Sequence, residues 1–367
     1  MTLLRLREGV RVMAVIEKIA CTPTMGDYHI LTDMLMERCL NYKTMLCPPM
    51  TKRTLELGAR HSPDMICTPF KITLGNFIEA AEMGANVFVM PGAGCRLGFY
   101  DILQQQVLSD LGYECEMFPL FDYIPSVNRM FKAFNDANPD LTREDFDAVM
   151  DTVVRIALDM DELADFMRRN IAFEVSKGEY EKHYKAYLNS AKTVQSAAEA
   201  ESIGAKYKED QKAIKINKPD RPIRIGVIGE IYVVVESFSN CNLEKWLAEH
   251  GVEIIRPFDL SRMAVAIFTV DEQIEKSGGY VDYNIGSTAN DAVAQAYEMI
   301  TGGIDGIIHI KPSSCSPEIT AMTILQNMSR DHDIPIMYLT FDTETSEAGF
   351  HTRLEAFHDM IVMKGLK

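Results

Sequence analysis

The feature that most constrains this chain is a repeated pattern of short, nearly all-apolar runs separated by amphipathic stretches. Residues 86–91 and 304–310 are of this kind, each strand-length and far too short to span a membrane. Apolar runs without polar alternation are strands buried on both faces, and such strands belong to parallel sheets covered by helices. Before residue 124 the pattern predicts strands over 10–16, 65–67, 86–90 and 114–118. Helices over 28–39, 52–60, 71–83 and 98–111 fall between them. After residue 215 it resumes, with strands over 223–228, 253–256, 306–310 and 335–340. Helices follow over 243–250, 289–300, 317–330 and 349–361.

Between these stretches, 141–170 and 179–201 have helical periodicity and few strand formers. Residues 206–224, rich in Lys and Asp and carrying Pro219 and Pro222, read as a solvated linker. The fold class expected is therefore α/β. Two parallel-sheet domains, 1–123 and 216–367, flank a helical region and linker at 124–215, and the cleft between them is the natural place for a site.

An apolar fraction of 47% over 367 residues suffices for two or three packed cores. A net charge of −16 argues against a nucleic-acid or anionic-membrane partner. Nothing near the start reads as a secretion signal, so a cytoplasmic location is expected. Eight cysteines in a reducing compartment are not four disulfides. The 22 methionines are scattered through apolar positions and read as core filling.

Three cysteines share a setting. Cys67 closes the expected strand 65–67 and precedes Thr68-Pro69. Cys315 follows the strand 306–310 and precedes Ser316-Pro317-Glu318. Cys95 follows the strand 86–90 through Pro91-Gly92-Ala93-Gly94. The first two carry helix-start signals, and the glycines near Cys95 let backbone approach a ligand closely. All three are expected beyond the carboxyl ends of parallel strands and near helix N-termini, where partial positive charge favours the thiolate that binds metal. On spacing alone ordinary burial accounts for them better than ligation, since the chain has no C-x-x-C pair. Cys21, before Thr22-Pro23, is a candidate fourth ligand. Cys47 precedes Pro48-Pro49 in a loop, and Cys39, Cys115 and Cys241 read as core.

The runs around these cysteines resemble the 2-hydroxyacyl-CoA dehydratase component family, in the branch related to the acyl-CoA dehydratase activases. They are Met25-Gly26-Asp27-Tyr28-His29, Ser62-Pro63-Asp64 through Cys67-x-Pro69-Phe70-Lys71, Leu74-Gly75-Asn76, and Gly94-Cys95-Arg96-Leu97-Gly98-Phe99-Tyr100. Further along come Gly229-Glu230-Ile231-Tyr232, Cys315-x-Pro317-Glu318, and the stretch from Glu347-Ala348-Gly349-Phe350-His351 to Phe357. The resemblance covers nearly the whole chain. It implies paired flavodoxin-like domains around a [4Fe–4S] cluster held by Cys67, Cys95 and Cys315, with the fourth iron left for water or a substrate oxygen. It also implies an electron delivered by a separate ATP-dependent iron–sulfur activator. A homodimer, or a heterodimer with a homologous subunit, and a small-molecule substrate such as an acyl-CoA complete the expectation.

The chain departs from the family pattern in places. Cys241 stands where an aromatic is expected, Cys21 where no cysteine is, and Asp342-Thr343-Glu344 lacks the usual Asp-Glu-His. The missing histidine puts any acid–base role of that loop in doubt, and three matched cysteines argue against a double-cubane cluster. No Walker-type loop is present, so ATP would be used by the partner. Glu347, His351, Glu355 and His358 share one helix face, but no matching helix completes a di-iron site, and they read as a charged face. Three functions follow: an iron–sulfur component of an ATP-driven reductase or dehydratase system, a true (R)-2-hydroxyacyl-CoA dehydratase subunit, or a non-catalytic electron-transfer module.

Overall fold

Two parallel sheets of four strands each organise the described residues. The computed structural model describes residues 17–90, 99–120, 126–257, 259–262, 269–286 and 288–365. The strand expected over 10–16 and Cys95 lie outside them. The first sheet holds β1 (Ile19–Cys21), β2 (Lys43–Thr44), β3 (Val87–Met90) and β4 (Glu116–Pro119), in the order β2-β1-β3-β4. The second holds β5 (Ile223–Gly229), β6 (Val252–Ile255), β7 (Gly306–Pro312) and β8 (Ile336–Phe341), in the order β6-β5-β7-β8. Every pairing is parallel. The two orders are the same topology used twice. In each, the chain reverses its direction of travel across the sheet beside the first strand, leaving a crevice at the carboxyl ends of β1 and β3 and of β5 and β7.

In the first half, α1 (His29–Leu40) follows β1, and α2 (Lys52–His61) and α3 (Thr68–Glu82) lie between β2 and β3. Gly58 and Gly75 let α2 and α3 meet backbone to backbone. A Cβ on Gly58 would stand 1.6 Å from the Lys71 carbonyl oxygen, and one on Gly75 1.9 Å from that of Thr54. Arg53 then clamps the crossing through Glu79 at 2.8 Å and Glu82 at 2.7 Å. This contact fixes the axis of α3 and so the place of Cys67 at its start. Helix α4 (Tyr100–Asp110) precedes β4.

The middle of the chain is helical: α5 (Val127–Ala137), α6 (Arg143–Asn170), α7 (Glu179–Ala191) and α8 (Ala197–Lys212). The helix expected over 179–201 is broken at 192–196, because Ser196 caps a new helix through a hydrogen bond from the Glu199 N–H at 3.3 Å. As a result 206–212 is helical and not linker. The charges that suggested solvation include Lys208, which pairs with the buried Asp159 of α6 at 2.8 Å. These helices share a core with α1 and the first sheet, joining Leu31, Leu35 and Val89 to Phe134, Phe146, Ile156 and Tyr187.

The second half adds α9 (Ile231–Val235), α10 (Leu243–Glu249), α11 (Val270–Lys276), α12 (Ala289–Thr301), α13 (Ser316–His332) and α14 (Glu347–Gly365). The two halves are packed together. Met50, Leu55 and Ile72 of the first half share an apolar cluster with Ile225, Ile308, Leu339 and Phe341 of the second. Among the described residues no helix is long and apolar enough to cross a membrane.

Candidate functional site

Cys67 and Cys315 occupy equivalent positions, each the N-cap of a helix with proline in its first turn. Both have extended backbone, and the Glu318 N–H of the first turn is directed at the Cys315 sulfur. Cys315 arrives as expected, just beyond β7. Cys67 does not follow a strand: residues 63–66 form a turn, with the Ile66 N–H donating to the Pro63 carbonyl at 3.2 Å and Met65 86% exposed. The Pro63-Asp64 turn chemistry outweighs the short apolar run that suggested a strand there.

The start of α3 meets the other half of the molecule. The Thr68 hydroxyl donates to the Phe341 carbonyl at 3.3 Å, at the carboxyl end of β8. Nearby, the Tyr232 hydroxyl donates to the Thr24 carbonyl at 3.0 Å and to the Met50 sulfur at 3.3 Å. Gly26 N–H reaches Glu236 at 3.4 Å. The loops that follow β1 and β2 are thus seated on the segment that follows β5. Asn76, fully buried, holds both loops, accepting from the Thr24 N–H at 3.1 Å and donating to the Pro48 carbonyl at 2.8 Å. The carboxyl ends of the two sheets therefore face one another, and Cys67 and Cys315 come from opposite sides of that junction.

Their electrostatics differ from the expectation of stabilised thiolates. Burial pushes the Cys315 thiol well up, and the carboxylates of Glu318 and Glu230 and the sulfur of Cys67 push it further. A hydrogen bond from the Glu318 N–H at the helix start opposes this but is outweighed. Cys67 also has the Tyr100 hydroxyl as a hydrogen-bond partner, and Tyr100 packs edge-on against Phe70 at 5.0 Å.

Polar residues gather behind Cys315 in a meeting that carries no local sequence signal. Glu318 and His309 are fully buried and joined at 2.8 Å between Oε2 and Nε2. The second atoms of that pair, Glu318 Oε1 and His309 Nδ1, have no hydrogen-bond partner among the described residues. Lys311 is buried beside them, donates to the Pro312 carbonyl at 3.3 Å, and is lowered by its burial. Glu230 caps α9, accepting from the Tyr232 and Val233 N–H groups at 3.2 and 3.0 Å. It keeps some accessible surface, yet enough protein surrounds its carboxyl to raise it to about 7. His309 lies inside the wholly buried strand β7 and Glu318 on a helix, so only the fold pairs them.

The remaining cysteines sort differently. Cys21 and Cys47 form a disulfide, with Cα atoms 5.8 Å apart. Parallel pairing of Ile19 with Lys43 and Ala20 with Thr44 brings the ends of β1 and β2 side by side. Cys21 is thereby removed as a fourth ligand. Cys39 and Cys241 are buried in apolar clusters, and Cys115 is partly buried. On α14, His351 donates to the Cys241 carbonyl at 3.1 Å and His358 packs against Trp246, so the helix face they share with Glu347 and Glu355 gathers no metal ligands.

Among the described residues no group of three or more His, Cys, Asp or Glu side chains is placed to hold a metal ion. Cys95 is not among those residues; in sequence it lies between Met90 of β3 and Tyr100 of α4. A cavity of about 490 Å³ lined by Lys218, Arg221, Arg224, Glu253 and Asp305 lies at the opposite, amino-terminal edge of the second sheet. Of its charges, Lys218 pairs with Glu253 at 3.0 Å and Arg224 donates to the Gly302 carbonyl at 3.1 Å. Comparison with known proteins finds no family model and no curated protein that matches this chain.

Proposed function

We propose that this chain is the iron–sulfur component of an ATP-driven, low-potential reductase or dehydratase system, with a [4Fe–4S] cluster held by Cys67, Cys95 and Cys315. One observation carries the reading: two cysteines from opposite halves of the chain share the junction between the carboxyl ends of two parallel sheets. The donor set fits a soft metal group. Cys67 and Cys315 each stand at a helix start with proline in the first turn, and they come from opposite sides of the junction. Reactive cysteines need electropositive, accessible surroundings. The surroundings of Cys315 therefore argue against nucleophilic or thiol-exchange chemistry, and a metal bound there would displace the proton that they favour.

When bound, such a group supplies a low-potential electron and an iron open to a small ligand. The chain's own residues do the rest. Tyr232, Thr24 and Met50 join the halves and help exclude water from the junction. The Glu318 N–H at the start of α13 is a donor toward the Cys315 sulfur. With no Walker-type loop in the sequence, the electron comes from a separate ATP-dependent activator. Met65 and Phe99, both exposed and close in sequence to Cys67 and Tyr100, offer it an apolar rim. The strand order of each half matches the first four strands of the flavodoxin-like order, which supports paired flavodoxin-like domains. A purely electron-transferring module would need a fourth protein ligand, and Cys21 is bonded elsewhere.

Anaerobic purification with iron and acid-labile sulfide counts and EPR tests this directly. One [4Fe–4S] per chain is expected. Cys67→Ser, Cys95→Ser and Cys315→Ser should each abolish it, while Cys39→Ser should leave it intact. A colourless, iron-free wild-type protein would overturn the proposal, and a full cluster in Cys95→Ser would overturn the ligand assignment.

A further inference from the structure

The carboxylates beside Cys315 are built in with more care than capping or packing requires. Strands β5 and β7 are paired up to Gly229 and Ile310, at the point where strand order reverses. Gly229 sits at φ +137°, and a Cβ there would lie 1.8 Å from the Ile310 carbonyl oxygen. The next N–H, of Glu230, donates to that same carbonyl at 3.0 Å. The end of β5 is thus pressed onto β7, which holds Glu230 near the segment that carries Cys315. Glu318 reaches the same place from the first turn of α13, and the buried His309 of β7 holds it there. Both carboxylates act on Cys315 and on each other.

Resting on the cluster reading above, we infer that Glu318, held by His309, and Glu230 set the reduction potential of the metal group at Cys315. Reduction adds an electron, and fixed negative charge a few side chains away in a poorly screened interior opposes it. Lys311 is the cation of this group; its ammonium donates to the Pro312 carbonyl and also acts on Cys315. Two carboxylates stand against that one ammonium. A group so placed would hold its electron weakly and pass it on readily, as a low-potential site requires. Glu318 and Glu230 are positioning residues here, acting through the field at Cys315 and not by touching substrate.

The test is an anaerobic redox titration at pH 8.5, followed by EPR, on wild type, Glu230→Gln, Glu318→Gln and a control, Glu79→Gln. Glu79 is a buried carboxylate whose partners are Arg53 and Thr54 on α2. Each of the first two substitutions should favour the reduced form about tenfold at fixed potential, which is 59 mV for one electron. Glu230→Asp, which keeps the charge, should restore the wild-type value, and Glu79→Gln should not move it. A merely structural role for these residues would lower iron content without shifting the midpoint of the cluster that remains. If Glu318→Gln holds no cluster, Glu230→Gln and Glu230→Asp decide the matter. Iron-loaded variants titrating with wild type overturn this inference alone, whereas an iron-free wild type overturns the cluster reading and this inference with it.

Discussion

Single residues decide where the chain can turn, and Gly229 shows how sharply. Its φ of +137° is open only to glycine, and the Ile310 carbonyl fills the space where a side chain would begin. Gly112 also has positive φ, +89°, but nothing lies within 4 Å of its would-be Cβ. Substitution by alanine therefore separates two costs. Gly112→Ala should lose about 1 kcal/mol, the price of the backbone alone, and Gly229→Ala more than about 3 kcal/mol because β5 must part from β7. Urea unfolding of the two variants measures the difference, and equal losses would show that the close approach is relaxed cheaply. The residues of the site divide in the same way between local and non-local causes. Thr68-Pro69 and Ser316-Pro317 announce helix starts from sequence alone, and the structure places Cys67 and Cys315 at those starts. Glu230 and Glu318 stand in runs that the sequence marks, but their meeting with His309 is not written there, because a histidine within a buried strand acquires its meaning from a partner on a helix that the strand meets only after folding.

Among elements, the pair β1–β2 shows what short segments conceal. Two residues of β2 pair with β1, too few to leave a periodic signal, yet that pairing brings Cys21 and Cys47 together. The long apolar runs of β3 and β7 were legible because burial on both faces writes itself into every position. At 65–67 and 206–212 the opposite holds: apolar or charged composition does not fix the conformation, which a turn and a helix cap decide. The disulfide has a measurable consequence. It closes a loop with a sequence separation of 26, and on the chain-entropy argument a loop of that size contributes about 3.5 kcal/mol. Wild-type protein should therefore unfold at lower urea when treated with a dithiol reductant, while a Cys21→Ser/Cys47→Ser double variant should match the reduced protein and ignore the reductant. Identical midpoints for oxidised and reduced wild type would show that the cross-link constrains a chain that is already compact when unfolded.

At the scale of the molecule, three separate parts of the chain meet on one carboxyl group. Tyr28, at the start of α1, donates to Asp161 of α6 at 2.5 Å, and the Ser261 N–H of the second half donates to it at 2.8 Å. The Leu260 N–H completes the knot by reaching the Tyr28 hydroxyl at 3.3 Å. No periodicity in the sequence foretells this junction, since Tyr28, Asp161 and Ser261 are far apart along the chain. Burial raises Asp161 from 3.8 to about 6, and the neighbouring Asp259 adds to the rise, while the bonds from Tyr28 and Ser261 oppose it. The folded protein thus holds this proton more tightly than the unfolded chain does. The stability that goes with the protonated form is complete below the unfolded value of 3.8 and is lost as pH rises through about 6. Asp161→Asn removes the titration but keeps a polar group of the same shape between the same neighbours. Measured as Tm, wild type minus Asp161→Asn should therefore be more favourable to wild type at pH 4.5 than at pH 7.5. Carboxyls that do not act on Asp161 are common to both proteins and cancel in the difference, while repulsion from the neighbouring Asp259 at high pH works in the same direction. A gap that is flat, or that grows with pH, would mean that the hydrogen bonds from Tyr28 and Ser261 outweigh burial and that the junction is held by an ionised Asp161.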